Sequence, residues 1–140
     1  MLERKIADAG LIIAFLDESE GENHDWAAEI FSQNEHLHTC EAVLAEACAR
    51  LVYGGMDPAR GLRLVTDGTL KVDFSVSTAA ARLVRLMDKY ADRPMDLADA
   101  CLVVMTEDHP RSLIYTLDES DFSVYRRNGR EVVPFESPPD

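Results

Sequence analysis

Short apolar runs alternate with longer stretches of helical periodicity along this chain. Lys5-Ile6-Ala7 reads as a short buried strand ending at Asp8, followed by a tight turn at Ala9-Gly10 and a helix over Leu11 to Leu16. Asp17 to Asp25 reads as a polar loop. His24 to Ser32 places Trp26, Ala27, Ile30 and Phe31 on one side, the spacing of an amphipathic helix. Leu37-His38-Thr39 is a second strand. Glu41 to Tyr53 is a helix with Leu44, Ala47, Cys48 and Leu51 as its apolar stripe, stopped by Gly54-Gly55. Pro58 to Val65 predicts another helix, Asp67-Gly68 a turn, and Leu70 to Phe74 a third strand. Ser77 is the expected cap of a helix over Thr78 to Tyr90 with Ala80, Leu83, Val84 and Met87 inward. Pro94 opens the next helix, whose inward positions are Leu97, Ala98, Cys101, Leu102 and Met105. After a turn at Asp108 to Arg111, Ser112 to Thr116 forms a fourth strand that ends at Leu117-Asp118, and Glu119 to Tyr125 a short helical or turn segment. Asn128-Gly129 signals a turn. Glu131 to Phe135 reads as an edge strand, because Pro134 cannot donate to a ladder.

Strands alternating with helices predict an α/β fold: a mainly parallel central sheet of four to five short strands with helices on both faces. One domain over residues 1–136 is expected, with residues 137–140 frayed. The 140 residues and 46% hydrophobic content suffice for one real core. A net charge of −12 repels nucleic acid at long range, which argues against a general nucleic-acid coat and is compatible with a basic partner. Cys40, Cys48 and Cys101 have no metal-ligand spacing and read as reduced core residues. His24, His36, His38 and His109 have no paired ligand spacing and read as surface or loop residues. The densest apolar run, Leu11 to Leu16, is far short of the ~20 residues that span a bilayer, and no signal-peptide pattern is visible. A cytoplasmic protein without a membrane partner is expected.

The candidate chemistry is carried by carboxylates. Asp96 and Asp99 are three apart at a helix start and share one face. Taken alone they are an acidic first turn favoured by the helix dipole. Asp8 and Asp118 each follow a strand, where open α/β sheets bind ligands, although Asp8 also suits a helix cap. Glu46 pairs with Arg50 at i,i+4, an interaction worth only ~0.3–0.5 kcal/mol, or else faces Asp8 from a second element. Such a cluster cannot stay fully ionised without a counter-charge. Hard divalent cations with oxygen ligands are the usual solution, and they also let an acidic protein hold a polyanion.

Four blocks carry a resemblance: Ile6-Ala-Asp8-Ala-Gly-Leu, Val43-Leu-Ala-Glu46-Ala, Tyr90-Ala-Asp-Arg-Pro-Met-Asp96-Leu-Ala-Asp99-Ala, and Thr116-Leu-Asp118-Glu-Ser-Asp121-Phe-Ser-Val-Tyr-Arg126. In order and spacing the chain resembles PIN-domain ribonucleases, most similarly the VapC-type toxins of prokaryotic toxin–antitoxin pairs. The resemblance implies catalytic and metal-binding roles for Asp8, Glu46, Asp99 and Asp118, with Asp96 as an extra acid, and one or two Mg2+ or Mn2+ ions. It implies hydrolysis of RNA phosphodiesters to 5′-phosphate and 3′-hydroxyl ends. Thr116 matches a hydroxyl near the metal site, and Arg93, Arg126 and Arg127 are candidates for positioning RNA. Asp121 and Phe122 read as structural, a turn cap and a buried ring. Where family members often carry Ser or Thr after the first acid, this chain has Ala9. A small antitoxin and a homodimer are the implied partners. Two other readings stand beside this one: a non-catalytic PIN-like binding module, and a nuclease outside any toxin role. Phosphotransfer enzymes of the receiver or haloacid-dehalogenase type also gather Asp at strand ends. They want a late lysine or an Asp-x-Asp after the first strand, whereas the lysines here are Lys5, Lys71 and Lys89 and residue 10 is Gly.

Overall fold

The computed structural model describes residues 2–93 and 95–140. The expected helix start at Pro94 lies outside the described residues. β1 (Arg4–Ala7) leads into α1 (Ala9–Leu16), a short 3-10 turn (Glu18–Glu20) and α2 (Glu22–Ser32). β2 (Leu37–Thr39), α3 (Glu41–Tyr53), α4 (Ala59–Thr66) and β3 (Leu70–Val72) follow. Next come α5 (Val76–Lys89), α6 (Leu97–Asp108), β4 (Ser112–Tyr115) and α7 (Glu119–Val124). The chain closes with β5 (Arg126–Arg127), β6 (Glu131–Val132) and β7 (Phe135–Glu136).

The central sheet has five strands in the order β3-β2-β1-β4-β7, all parallel. The chain moves outward from β1 through β2 to β3, then crosses back so that β4 lands on the other side of β1. Parallel crossovers are right-handed, so this reversal directs the helices before and after it to opposite faces. The strands read accordingly. Ile6 and Ala7 are adjacent and both fully buried, as are Ile114 and, nearly so, Tyr115, the signature of strands covered on two sides. α6 is buried almost all round, with Ala98 and every residue from Ala100 to Thr106 inside. It is the central helix of the core, and its N-terminus carries Asp96 and Asp99. No helix among the described residues is long and apolar enough to cross a membrane.

The predicted α/β architecture is the observed one, with local differences. Ala9 and Gly10 are not a turn but the first residues of α1, because the Asp8 carboxylate already caps that helix. The loop expected from Asp17 to Asp25 holds the 3-10 turn and the start of α2. Ser75, not Ser77, caps α5, accepting the Thr78 N–H at 3.2 Å. The helix therefore buries Ala79 and Leu83 while Ala80 is exposed and Val84 is 59% exposed. Leu83 and Met87 face the core as expected, while packing on α6 turns Ala79 and Leu86 inward in place of Ala80 and Val84. Leu97 is 41% exposed at the first turn of α6. The expected strand Glu131 to Phe135 is split at Val133-Pro134: β6 pairs antiparallel with β5 across the Asn128-Gly129 turn, and β7 joins the main sheet beside β4. Cys40 and Cys101 are buried, but Cys48 is half-buried. His24 sits in α2 with Nδ1 2.8 Å from the Ala14 carbonyl oxygen, and His38 lies within β2 against Arg4 and Asp73, each on the element that the periodicity gives it.

α1 passes close to the chain leaving β4. A Cβ on Gly10 would meet Leu117 Cγ at 3.0 Å and Cβ at 3.3 Å. Overpacking of this kind costs ~1–3 kcal/mol, against ~1 kcal/mol gained in helix propensity over glycine. Gly10→Ala is therefore expected to destabilise by up to about 2 kcal/mol in urea unfolding. An unchanged or higher midpoint would mean that Leu117 yields freely.

Candidate active site

β1 and β4 are neighbours, and the direction of chain winding reverses between them. Asp8 follows the first and Thr116-Leu117-Asp118 the second, so both acids stand at the carboxyl ends of strands beside a topological switch point. Asp8 is 7% exposed, and both its oxygens are engaged. Oδ1 accepts the Ala9 N–H at 2.7 Å and Oδ2 accepts the Thr116 hydroxyl at 2.6 Å. Thr116 Oγ1 in turn accepts the Asp118 N–H at 2.9 Å. The helix-cap and site readings of Asp8 thus coexist, one oxygen serving each side.

The other acids arrive from helix starts. Asp96 caps α6, its Oδ1 accepting the Asp99 N–H at 2.8 Å. Asp99, one turn in, accepts the Tyr125 hydroxyl on Oδ2 at 2.9 Å. Asp118 caps α7 by accepting the Asp121 N–H at 3.1 Å. Glu46 projects from α3, with Arg50 Nη1 3.7 Å away. Together Asp8, Glu46, Asp96, Asp99, Asp118 and Asp121 line one cavity of about 350 Å3, and Arg50 is the one basic residue among the described residues lining it.

That crowding shows in the protonation equilibria. Burial, then the Asp96 charge, pushes the Asp99 carboxyl up from 3.8 to about 7. Burial also raises Asp8, opposed by the Thr116 and Ala9 hydrogen bonds, and raises Glu46, with Asp8 adding to it. Asp118 is raised chiefly by its burial. A divalent cation would relieve each of these penalties. Asp99, Asp118 and Asp121 can each offer one oxygen within 4.8 Å of the others. The donor set is all carboxylate oxygen, which fits a hard divalent cation and not a soft one.

All five acids singled out in the sequence, and Thr116, line this cavity. Arg93 stands at its rim, with Nη2 2.9 Å from Asp121 and 3.2 Å from the Ser120 hydroxyl. Arg126 does not line it: its Nη1 donates to the carbonyls of Ser123, Val124 and Tyr125 at the end of α7. Arg127 Nη1 donates to the Thr106 and Pro110 carbonyls. Phe122 is buried as expected, but Asp121 is not the turn cap; Asp118 is, and the Asp121 side chain joins the acidic cluster. Its spacing of three from Asp118 is the signal that paired Asp96 with Asp99. Arg50 was legible only as a partner for Glu46, and Tyr125 only as a member of the fourth block with no role of its own.

Asp99 binds its proton more tightly folded than unfolded, so its contribution to stability is present below about pH 4 and is lost as pH rises towards about 7. In metal-free buffer the Tm of Asp99→Asn is expected to fall less than that of the wild type across this window, and to exceed it at the upper end. Parallel Tm curves would refute the electrostatic account of this carboxyl.

A comparison with curated proteins found no significant match. Comparison with known families matches residues 5–128 to the PIN domain, a span holding every acid of the cavity. PIN domains are generally metal-dependent nucleases, and the chain belongs to the PIN domain family.

Proposed function

We propose that this protein is a metal-dependent endoribonuclease and the toxin of a toxin–antitoxin pair. The observation that carries the nuclease reading is the convergence of Asp8, Glu46, Asp99 and Asp118 on one cavity at the switch point of a PIN-family sheet. Asp8, Glu46, Asp96, Asp99 and Asp118, with Asp121, would hold one or two Mg2+ or Mn2+ ions. Bound there, such ions activate water and stabilise charge on a phosphodiester in hydrolysis.

The chain's own groups set the geometry. Thr116 holds Asp8 in one rotamer through its hydroxyl, and Tyr125 does the same for Asp99. The buried flank of Asp8 keeps water off one side of the cluster. Asp99, with a carboxyl near 7, must give up its proton to become a ligand, so metal affinity rises with pH through that range. Arg50 beside Glu46 and Arg93 beside Asp121 are cations at the cavity that can meet phosphate oxygens. The toxin role rests on the four sequence blocks and on the −12 charge, which suits a small basic antitoxin. A homodimer in the cytoplasm belongs to the same reading.

The test is cleavage of total cellular RNA by purified protein with Mn2+ or Mg2+, with sequencing of new 5′ ends. Metal-dependent 5′-phosphate ends are expected. Asp8→Asn should lower their formation by about 100-fold or more, since losing even an outer partner of a metal ligand costs ~10–100-fold. Folded wild-type protein that leaves the RNA intact beside an active control nuclease would favour a binding module.

A further inference from the structure

Away from the acidic cavity, one cleft is lined mainly by cations. A cleft of about 270 Å3 runs between α5 and the Asn128-Gly129 turn, lined by Arg82, Arg85, Leu86, Lys89, Glu107 and Gly129. Three cations meet one carboxylate there, in a chain of net charge −12. That carboxylate is already occupied. Glu107 Oε1 accepts from Arg82 at 2.9 Å, and Oε2 accepts the Asn128 N–H at 2.6 Å. Arg82 is spent on Glu107 and Asp108. Arg85 is exposed and enters no ion pair among the described residues. Lys89 Nζ donates to the neutral Gly129 carbonyl at 2.7 Å and enters no ion pair among the described residues. The spacing 82, 85, 89 places all three on one helical face over about 10 Å. The Gly129 turn leaves the cleft open, since a Cβ there would meet nothing within 4 Å.

Packed side chains join the cleft to the cavity through the core. Lys89 Nζ lies 5.5 Å from the Tyr90 ring, and Tyr90 packs edge-on to Tyr125 at 5.2 Å, whose hydroxyl holds Asp99. Four residues beyond Lys89, Arg93 is bonded to Asp121 at the cavity rim. A polyanion drawn to an acidic cavity in an acidic protein needs cations beside that cavity to hold it. We infer that the α5–hairpin cleft binds the phosphate backbone of single-stranded RNA, gripping the substrate away from the scissile bond through Arg85 and Lys89. This rests on the nuclease reading of the acidic cavity. An acidic peptide would meet the same cations, but a polynucleotide reaching the cavity engages both sites at once.

The test is anisotropy of a labelled, unstructured RNA of about 20 nucleotides on the cleavage-silenced Asp99→Asn protein, across a salt series. Arg85→Glu, which removes no hydrogen bond or ion pair among the described residues, is expected to weaken binding about tenfold and to reduce the salt slope by about 0.7. Lys89→Ala should act in the same direction, and far-UV dichroism and Tm report whether loss of its bond to Gly129 disturbs the hairpin. In the active protein, Arg85→Glu should raise KM for the long RNA with kcat unchanged, and leave cleavage of a substrate of about four nucleotides untouched. RNA that does not bind, RNA bound equally with and without Arg85, or Arg85-dependent binding of an acidic peptide but not of RNA would each overturn the inference. The two readings fail separately. Arg85-dependent RNA binding by a wild-type protein that cuts nothing would leave the cleft standing and remove the nuclease. Efficient cleavage with Arg85-independent binding would do the reverse.

Discussion

The hydrogen bond from the Thr116 hydroxyl to Asp8 is the contact on which the rest of this structure depends. A carboxylate at the end of the central strand is nearly sealed from water, and burial without partners is costly for such a group. Its partners come from two places far apart in sequence: the first amide of α1 and the residue after β4. Satisfying Asp8 therefore requires β1 and β4 to lie side by side in one register, with Ala7 opposite Tyr115. It also requires α1 to start without a linker. Gly10 is what lets that helix pass Leu117 at close range.

The same constraint explains why so many acids can share one cavity and still belong to a folded protein. Asp8, Asp96 and Asp118 are each at a helix N-cap, where a carboxylate meets backbone amides and the positive end of the dipole. The fold thus supplies local stabilisation for three charges that repel one another across the cavity. Asp99 has no such cap. It leans on a tyrosine hydroxyl and keeps its proton to a far higher pH than an ordinary aspartate. Polarity is sorted across the molecule in the same way: the cavity gathers carboxylates, while the α5–hairpin cleft gathers cations whose nearby acid is already paired.

Helix α6 shows how site and core are one object. Its apolar body is enclosed by α5, α3, β4 and β5, which fixes its axis, and its first turn then has no freedom in where it aims Asp96 and Asp99. Tyr125, fully buried and edge-on to Tyr90 and Phe122, carries that rigidity to the Asp99 carboxylate.

By itself the sequence determined the alternation of strands and helices, the parallel α/β class, and the acids at strand ends and helix starts. Those features are local: they follow from apolar period, from capping chemistry and from spacing along one element. The limits of α3, Glu41 to Tyr53, were legible to the residue because glycines end it and a strand precedes it. Which positions flank Leu83 and Met87 on the inner face of α5 was not, since Ala79 with Leu86 and Ala80 with Val84 both continue a helical period and the packing of α6 decided between them. Nor was the split at Pro134, where one apolar run serves a hairpin and a sheet edge. In the site, Asp121 and Arg50 were visible as residues but not as neighbours of Asp8, and Tyr125 stood in the fourth block without a role. Arg126 and Arg127 are candidates for positioning RNA in the sequence, yet their guanidinium groups donate to backbone carbonyls of neighbouring elements. Side-chain partners that meet across the core are set by how helices seat on the sheet, and that seating is a property of the whole packed chain.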